Sequence, residues 1–547
     1  MRSRTISGLV LAGLLLSVTG TQSFGRDSEK PAPKVAARPA VQFRFAKLDD
    51  LIGDLRYVVK KLGREEEGKQ FEEMLKARTG PKGLEGVDTK KPIGLVGTVA
   101  KQLDKSEVLL LLPIADEKTF MAFLDGIGIE PKKLEDGSYS MSLENVPFPV
   151  LFRFANGYLY GTLKFTAETT LASADKLPKP DVALGTGTGI LSLAMNLDAV
   201  PVALRKTVIP AIALHLGNLK DQEIPGATEK QKELRDAALD EVMRITKQII
   251  EDGASIKAQF DLDRKSDSFG FGLHIDGPRG STLAKDIQSL GARTSLGPAI
   301  LGKDSVMGGY INLPIPAPLR KLLDPVIDEL FEKASKDQDD NLKSLLKPSL
   351  DALKPTLKAD SIAMAADFRG PGKSGKYSMV ASVLMTRGEV LEKALKDLLA
   401  KVPADAREPI ETDVAKAEGV NIHRVTPKHL DPNTAELFGK EKVFVALRKD
   451  ALFMSVGDAG LDRMKTALAA KPTTGKLLHL QLAASKVVIL GNKPKEMKEA
   501  IAKAFGEKEG DKMSLTLDGG DKLDLRLSMD LAVIKLAFLL GDQPKEK

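Results

Sequence analysis

The sequence predicts an α+β protein built from repeated antiparallel-sheet modules, with amphipathic helices covering one face. Three observations carry that expectation. Apolar residues alternate with polar ones through paired stretches, Ile256, Ala258, Phe260, Leu262 and then Phe269, Phe271, Leu273, Ile275, which is the period of a strand with one buried and one wet face. Leu48, Leu51, Ile52, Leu55, Val58, Val59 and Leu62 follow helical spacing instead and predict a single buried stripe. Finally, motifs recur in order. Asn196-Leu197, Leu204-Arg205-Lys206, Pro210 and Ile212 are echoed by Asn312-Leu313, Leu319-Arg320-Lys321, Pro325 and Ile327. Ser255-Ile256 is echoed by Ser361-Ile362, and Arg279-Gly280 with Leu283 and Lys285 by Arg387-Gly388 with Leu391 and Lys393. A shared displacement of roughly 110 residues points to a duplicated module.

From the first residue, Met1 to Gly25 reads as a secretory signal. Arg2 and Arg4 precede the apolar run Leu9 to Val18, and small residues at Gly20, Ser23 and Gly25 allow cleavage. Residues 26–40, with Pro31, Pro33 and Pro39, read as an extended tether. No later apolar stretch is long enough to span a bilayer, so no transmembrane anchor is expected after cleavage. The absence of Cys excludes disulfides and a lipidated cysteine. At 547 residues the chain is long enough to build several cores without them.

Residues 41–178 read as an N-terminal α+β domain. Its continuous apolar run Val108 to Ile114 suits a strand buried on both faces, and Asn156-Gly157 is a hairpin turn. The two module copies occupy 189–300 and 303–402. Each opens with a strand and continues through proline-punctuated helices, a hairpin and a covering helix. Asp324-Pro325 is a place for the second copy's helix to restart. Residues 415–547 form a C-terminal α+β region related to both themes. Val443 to Ala469 matches Val150 to Lys176 in order and length, and Leu477 to Met529 reads as a shortened module.

Lys91-Pro92-Ile93-Gly94-Leu95, the Val108 to Ile114 run with Asp116-Glu117-Lys118, and Pro149-Val150-x-Phe152-Arg153-Phe154-Ala155-Asn156-Gly157-Tyr158 resemble a pattern in large uncharacterised exported proteins of planctomycete-type bacteria. The resemblance covers mainly 41–178. It implies export and a shared fold, and supplies no catalytic residue.

Charge excludes one class of partner. The net +6 is spread over 81 basic and 75 acidic residues, without Trp and without a basic block interleaved with aromatics, so no nucleic acid is expected. Ser173-x-x-Lys176, Tyr310-x-Asn312 and Lys373-Ser374-Gly375 stand in the order of a Ser-Lys hydrolase. Their context is wrong, because Ser173 ends a helical stretch and Lys373 sits in a turn. Gly185 to Gly189 precedes a strand, so it reads as a linker and not as a phosphate cradle. His215, His274, His423, His429 and His479 make no zinc spacing. Asp261-x-Asp263 and Asp337-x-Asp339-Asp340 lack the glycine and distal Glu of a calcium loop. No metal, no cofactor and no assignable catalytic residue are expected. The Met-containing strands are read as core, with an apolar groove as the other use of such a surface. The expected role is an exported, non-catalytic binding or scaffold protein with a protein, envelope or lipid partner. A secreted hydrolase with a site assembled from distant residues and a carrier of an apolar ligand in a sheet–helix groove are the alternatives.

Overall fold

The computed structural model describes residues 39–541 apart from 80–83, 103–104, 143–147, 164–170, 172, 186, 188, 223–227, 337–339, 404–406, 408, 428–431, 440–441, 489–494 and 507–509. The expected signal, most of the tether, His429, Asp337 and Asp339 therefore lie outside the described residues.

Alternating sequence becomes strand as expected. In chain order these are β1 (Val41–Lys47), β2 (Pro92–Thr98), β3 (Glu107–Pro113), β4 (Lys132–Lys133), β5 (Tyr139–Met141), β6 (Val150–Ala155), β7 (Tyr158–Leu163), β8 (Leu191–Asn196), β9 (Ser255–Asp263) and β10 (Ser268–Asp276). The second half supplies β11 (Met307–Pro314), β12 (Ser361–Arg369), β13 (Ser378–Leu384), β14 (Ile410–Ala417), β15 (Val420–Val425), β16 (Val443–Arg448), β17 (Ala451–Gly457), β18 (Leu478–Ala483), β19 (Lys512–Asp518) and β20 (Leu523–Asp530). Asn156 and Gly157 both have positive φ (52° and 71°), as a two-residue hairpin turn requires.

All of them join one 20-stranded antiparallel sheet. The order is β4-β5-β6-β7-β3-β2-β1-β8-β9-β10 through the first half. It continues β20-β19-β18-β11-β12-β13-β17-β16-β15-β14 through the second. Read inward from either outer edge, the two halves have the same order, with each strand of the first matched by the strand numbered ten higher. They meet last strand to last strand at β10–β20. Matching backbone bonds fix the register of this pseudo-two-fold. Ala40 N–H reaches Gly97 O where Val306 N–H reaches Phe368 O, both at 2.8 Å, and Asn196 N–H to Ala40 O matches Ala483 N–H to Val306 O. Position 41 thus corresponds to 307, 43 to 309, 95 to 366 and 96 to 367.

Each half contains two strand–helices–hairpin–helix units separated by a four-stranded meander. The segments that repeat at about 110 residues are the second and third of these four units. Both have the same strand order, β8-β9-β10 and β11-β12-β13. The larger repeat of half the chain is what organises the sheet.

Helices pack on both faces. Beside Tyr310, Ala365, Val380 and Phe453 lie Gly297–Ile300 and Gly460–Ala469, which contribute Ile300, Met464 and Leu468. In the first half the same face sets Val96, Leu111 and Tyr160 under Leu177, Ala183 and Leu184. On the opposite face Glu117–Gly126 covers Phe152 and Leu159, and Gly388–Lys401 covers Leu447 and Leu452. Lys495–Phe505 and Leu531–Gly541 pack together against Met513 and Met529 at the strand ends.

Three local expectations are corrected. The Val108 to Ile114 run is not buried on both faces: Leu109 and Leu111 are buried, but Val108 and Leu110 are exposed, because alternation turns them to a face no helix covers there. Leu48–Leu62 is a helix with no fully buried residue. Asp324-Pro325 does not restart a helix, since Ala317–Lys336 runs through Pro325 and the Asp324 carboxylate accepts from Arg320 Nε at 2.8 Å instead of capping.

The sheet's two outer strands are blunted against further pairing. β4 is two lysines long, and β14 carries a register shift between Glu411 and Ala415 with Asp413 at φ 58°. Short, charged and bulged edges are how open sheets avoid edge-to-edge association.

Candidate functional site

Hydrogen-bond registers decide which side chains share a face. One row crosses the sheet as Met454, Ala381, Ala366, Gly309, Leu480, Leu515, Leu527, Phe271, Phe260, Leu191, Phe45 and Ile93. A neighbouring row runs Leu452, Val383, Met364, Ile311, Leu478, Leu517, Leu525, Leu273, Ala258, Leu193, Phe43, Leu95 and Leu110. Every residue of both rows is apolar. The other face of the central strands presents Gln42, Ser192, Gln259, His274, Arg526, Thr516 and Gln481.

An apolar sheet face is normally the one a fold buries. Here Phe45, Leu95, Val108, Leu110, Phe260, Met307, Ile362, Met364, Val383, Met454 and Leu480 all point to it and are 37–57 % exposed. Contiguous exposed apolar surface of this kind marks a binding site. In the second half the face sinks into a cavity of about 610 Å³. Its floor is Gly309, Ala366 and Ala381, three small residues on adjacent strands. Met307, Met364, Met379, Phe368, Val383 and Leu480 ring it, and no charged side chain lines it. At the equivalent places the first half has Phe43 for Gly309 and Leu95 for Ala366, so the depression is filled there. Methionine suits such a wall because its unbranched, polarisable chain adapts to different shapes. The residues were visible in the sequence as Met-containing alternating strands; that the face stays uncovered was not.

The Ser-Lys constellation is not assembled. Ser173 precedes the 3-10 turn Ala174–Lys176 beyond β7, Tyr310 and Asn312 lie on β11, and Lys373 to Gly375 lie in the β12–β13 turn. β7 and β11 are ten strand spacings apart, roughly 48 Å along the sheet. The Tyr310 hydroxyl accepts from Lys476 N–H at 3.3 Å and Asn312 Nδ2 donates to Thr294 O at 3.3 Å. Gly185 closes the short helix Pro180–Leu184 ahead of β8, which is a linker's position. Asp263 is spent on its own turn, accepting from Lys265 N–H and the Ser266 hydroxyl.

Glu392, Asp413 and His423 come within reach of a common point. A lysine already fills it: Lys396 Nζ is 2.8 Å from Glu392 and 2.6 Å from Asp413. His423 Nδ1 accepts the Asp413 N–H at 3.3 Å, which leaves the proton on Nε2, facing Glu392 Oε1 at 3.3 Å. That tautomer offers no lone pair to an ion. His274 Nδ1 stands 3.2 Å from Asp524, whose carboxylate is already engaged by Arg526 at 2.8 Å.

Burial holds the imidazoles of His274, His423 and His479 below the ordinary histidine value, with Lys476 adding to the effect at His479. The folded chain therefore binds these protons less readily than the unfolded chain. Their contribution to stability is complete above the unfolded pKa of about 6.5 and is lost as pH falls below it. The urea midpoint should drop between pH 7.5 and 5.5, and replacing all three by Gln should flatten that slope. A midpoint that holds or rises over this range contradicts the assignment.

No protein family, curated protein or solved structure matches this chain. Among the described residues, no helix is long and apolar enough to cross a membrane.

Proposed function

We propose that the protein is an exported, non-catalytic carrier that holds the hydrocarbon part of an amphiphile against the uncovered apolar face. The observation that supports this most directly is the cavity floored by Gly309, Ala366 and Ala381 and walled by methionines. Its size falls in the range of small-molecule sites, roughly 300–1,000 Å³, and no charged side chain lines it. In this reading Glu117–Gly126 and Gly388–Lys401 are end walls, and the helices leave the middle of the face open for loading. The carrier reading takes the place of a scaffold role because a scaffold has no use for an apolar pit.

The test is extraction of the protein purified from its native envelope, followed by mass spectrometry and titration with a fluorescent fatty acid. An acyl-chain compound should co-purify. Ala366→Trp, which fills the pit from its floor, should weaken binding of the fatty acid at least tenfold while leaving the urea midpoint nearly unchanged. Protein that carries no such compound and does not bind the fatty acid would refute the carrier.

A further inference from the structure

We infer that the apolar face is a lane along which an acyl chain travels across the seam between the two halves, which makes the protein a lipid conduit as well as a holder. This rests on the carrier reading and extends it. Its first support is continuity. The seam strands β10 and β20 pair without a register shift, and Phe271 meets Leu527 there in the same apolar row that leads to the cavity. Its second is length. Exposed apolar side chains stand from Val108 and Leu110 on β3 to Phe260 on β9 and again from Leu480 on β18 to Met454 on β17. Half-buried Phe271, Leu527 and Leu515 join the two stretches across β10, β20 and β19. The whole row spans twelve strand spacings or roughly 58 Å along the sheet. A single acyl chain occupies about half of the roughly 30 Å bilayer core, so a holder for one chain would need only a fraction of this surface.

Charge and shape identify the occupant. No Asp, Glu, Lys or Arg stands in either row, which matches an uncharged hydrocarbon and gives a polar protein surface nothing to pair with. The lane is also unequal along its length. It is pitted at Gly309 and Ala366 but filled at the equivalent Phe43 and Leu95, so a chain rests at one end and passes over the other. A second copy of this protein, laid face to face, is the competing occupant, and it would find a pit where it needs a matching surface.

The experiment uses the full chain with a diazirine-bearing palmitate presented in phosphatidylcholine vesicles, with adducts mapped by peptide mass spectrometry. Adducts are expected at Met307 or Met364, at Phe271, and at Val108 or Leu110. Phe271→Lys places a charge on the seam outside the cavity. It should cut adducts at Val108 and Leu110 more than tenfold, leave those at Met364, and slow vesicle-to-vesicle transfer of the probe by a similar factor. Adducts confined to the cavity in the unmodified protein would overturn the lane and leave the single-site carrier standing, an outcome that does not depend on how well the Lys variant folds. No adducts and no fatty-acid binding would overturn both. A concentration-independent dimer by sedimentation, with the lane unlabelled, would also overturn both, in favour of self-association.

Discussion

Asp367→Ala should lower stability by about 3–5 kcal/mol, the usual cost of removing one partner from a buried ionic group. Asp367 is 0 % exposed, on the face opposite the lane. One carboxylate oxygen accepts from the Ser305 hydroxyl; the other accepts from Arg369 Nε at 2.5 Å and Arg463 Nη2 at 2.9 Å. Arg463 also donates to the Ser378 hydroxyl at 2.6 Å, so the network ties the loop before β11, the β12–β13 hairpin and helix Gly460–Ala469 together. Burial, reinforced by Arg369, already pushes the Arg463 guanidinium down from its usual value. Without the carboxylate two cations would face each other with no counter-charge. The equivalent position in the first half is Val96, also buried, which shows that the sheet accepts an apolar side chain there when no arginines are present. Asp367→Val combined with Arg369→Leu and Arg463→Met should therefore recover most of what Asp367→Ala loses. Urea denaturation decides the point: an Asp367→Ala midpoint equal to that of the unmodified protein would mean the arginines find other partners.

That same pair of positions explains why the half-chain repeat was only partly legible: Val443 to Ala469 could be matched to Val150 to Lys176, and Leu477 to Met529 to the module, but strands β1 and β2 could not be matched to β11 and β12. Val96 against Asp367, and Phe43 against Gly309, share neither size nor polarity. What the two halves keep in common is the backbone register, which a sequence does not display. The repeat with the longest matched motifs, Leu204-Arg205-Lys206 against Leu319-Arg320-Lys321, joins units that are adjacent in the chain but not equivalent under the pseudo-two-fold. Elements with strong local signals were readable. Glu229–Asp252 has its capping box at Thr228 and Gln231 and its left-handed stop at Gly253, and β9 and β10 alternate throughout. The site was half-readable for a physical reason. Alternation says that a strand has an apolar side, whereas the helix that covers that side comes from elsewhere in the chain. Val108 and Leu109 look alike in sequence, yet they stand on opposite faces and only Leu109 is buried.

If the lane is a working surface and not part of the core, leucines on the two faces should differ in what they contribute to folding. Leu111 is 0 % exposed, packed in the cluster that includes Val96, Tyr160 and Leu184. Leu480 is 43 % exposed and lines the cavity. Leu111→Ala removes transfer free energy and leaves a void in dense packing, which costs about 3–5 kcal/mol. Leu480→Ala in ligand-free protein gives up only the buried part of a side chain worth about 1.5–3 kcal/mol when fully covered, so about 1–1.5 kcal/mol is expected, with no enclosed void. Function should show the reverse order. Leu480→Asp places a carboxylate beside Gly309 where a hydrocarbon would lie, and should weaken fatty-acid binding more than tenfold while lowering the urea midpoint less than Leu111→Ala does. Leu111→Ala should leave binding intact at temperatures where the protein stays folded. Equal destabilisation by the two Leu→Ala changes would mean that the face is closed in solution, and that its apolar rows serve the core.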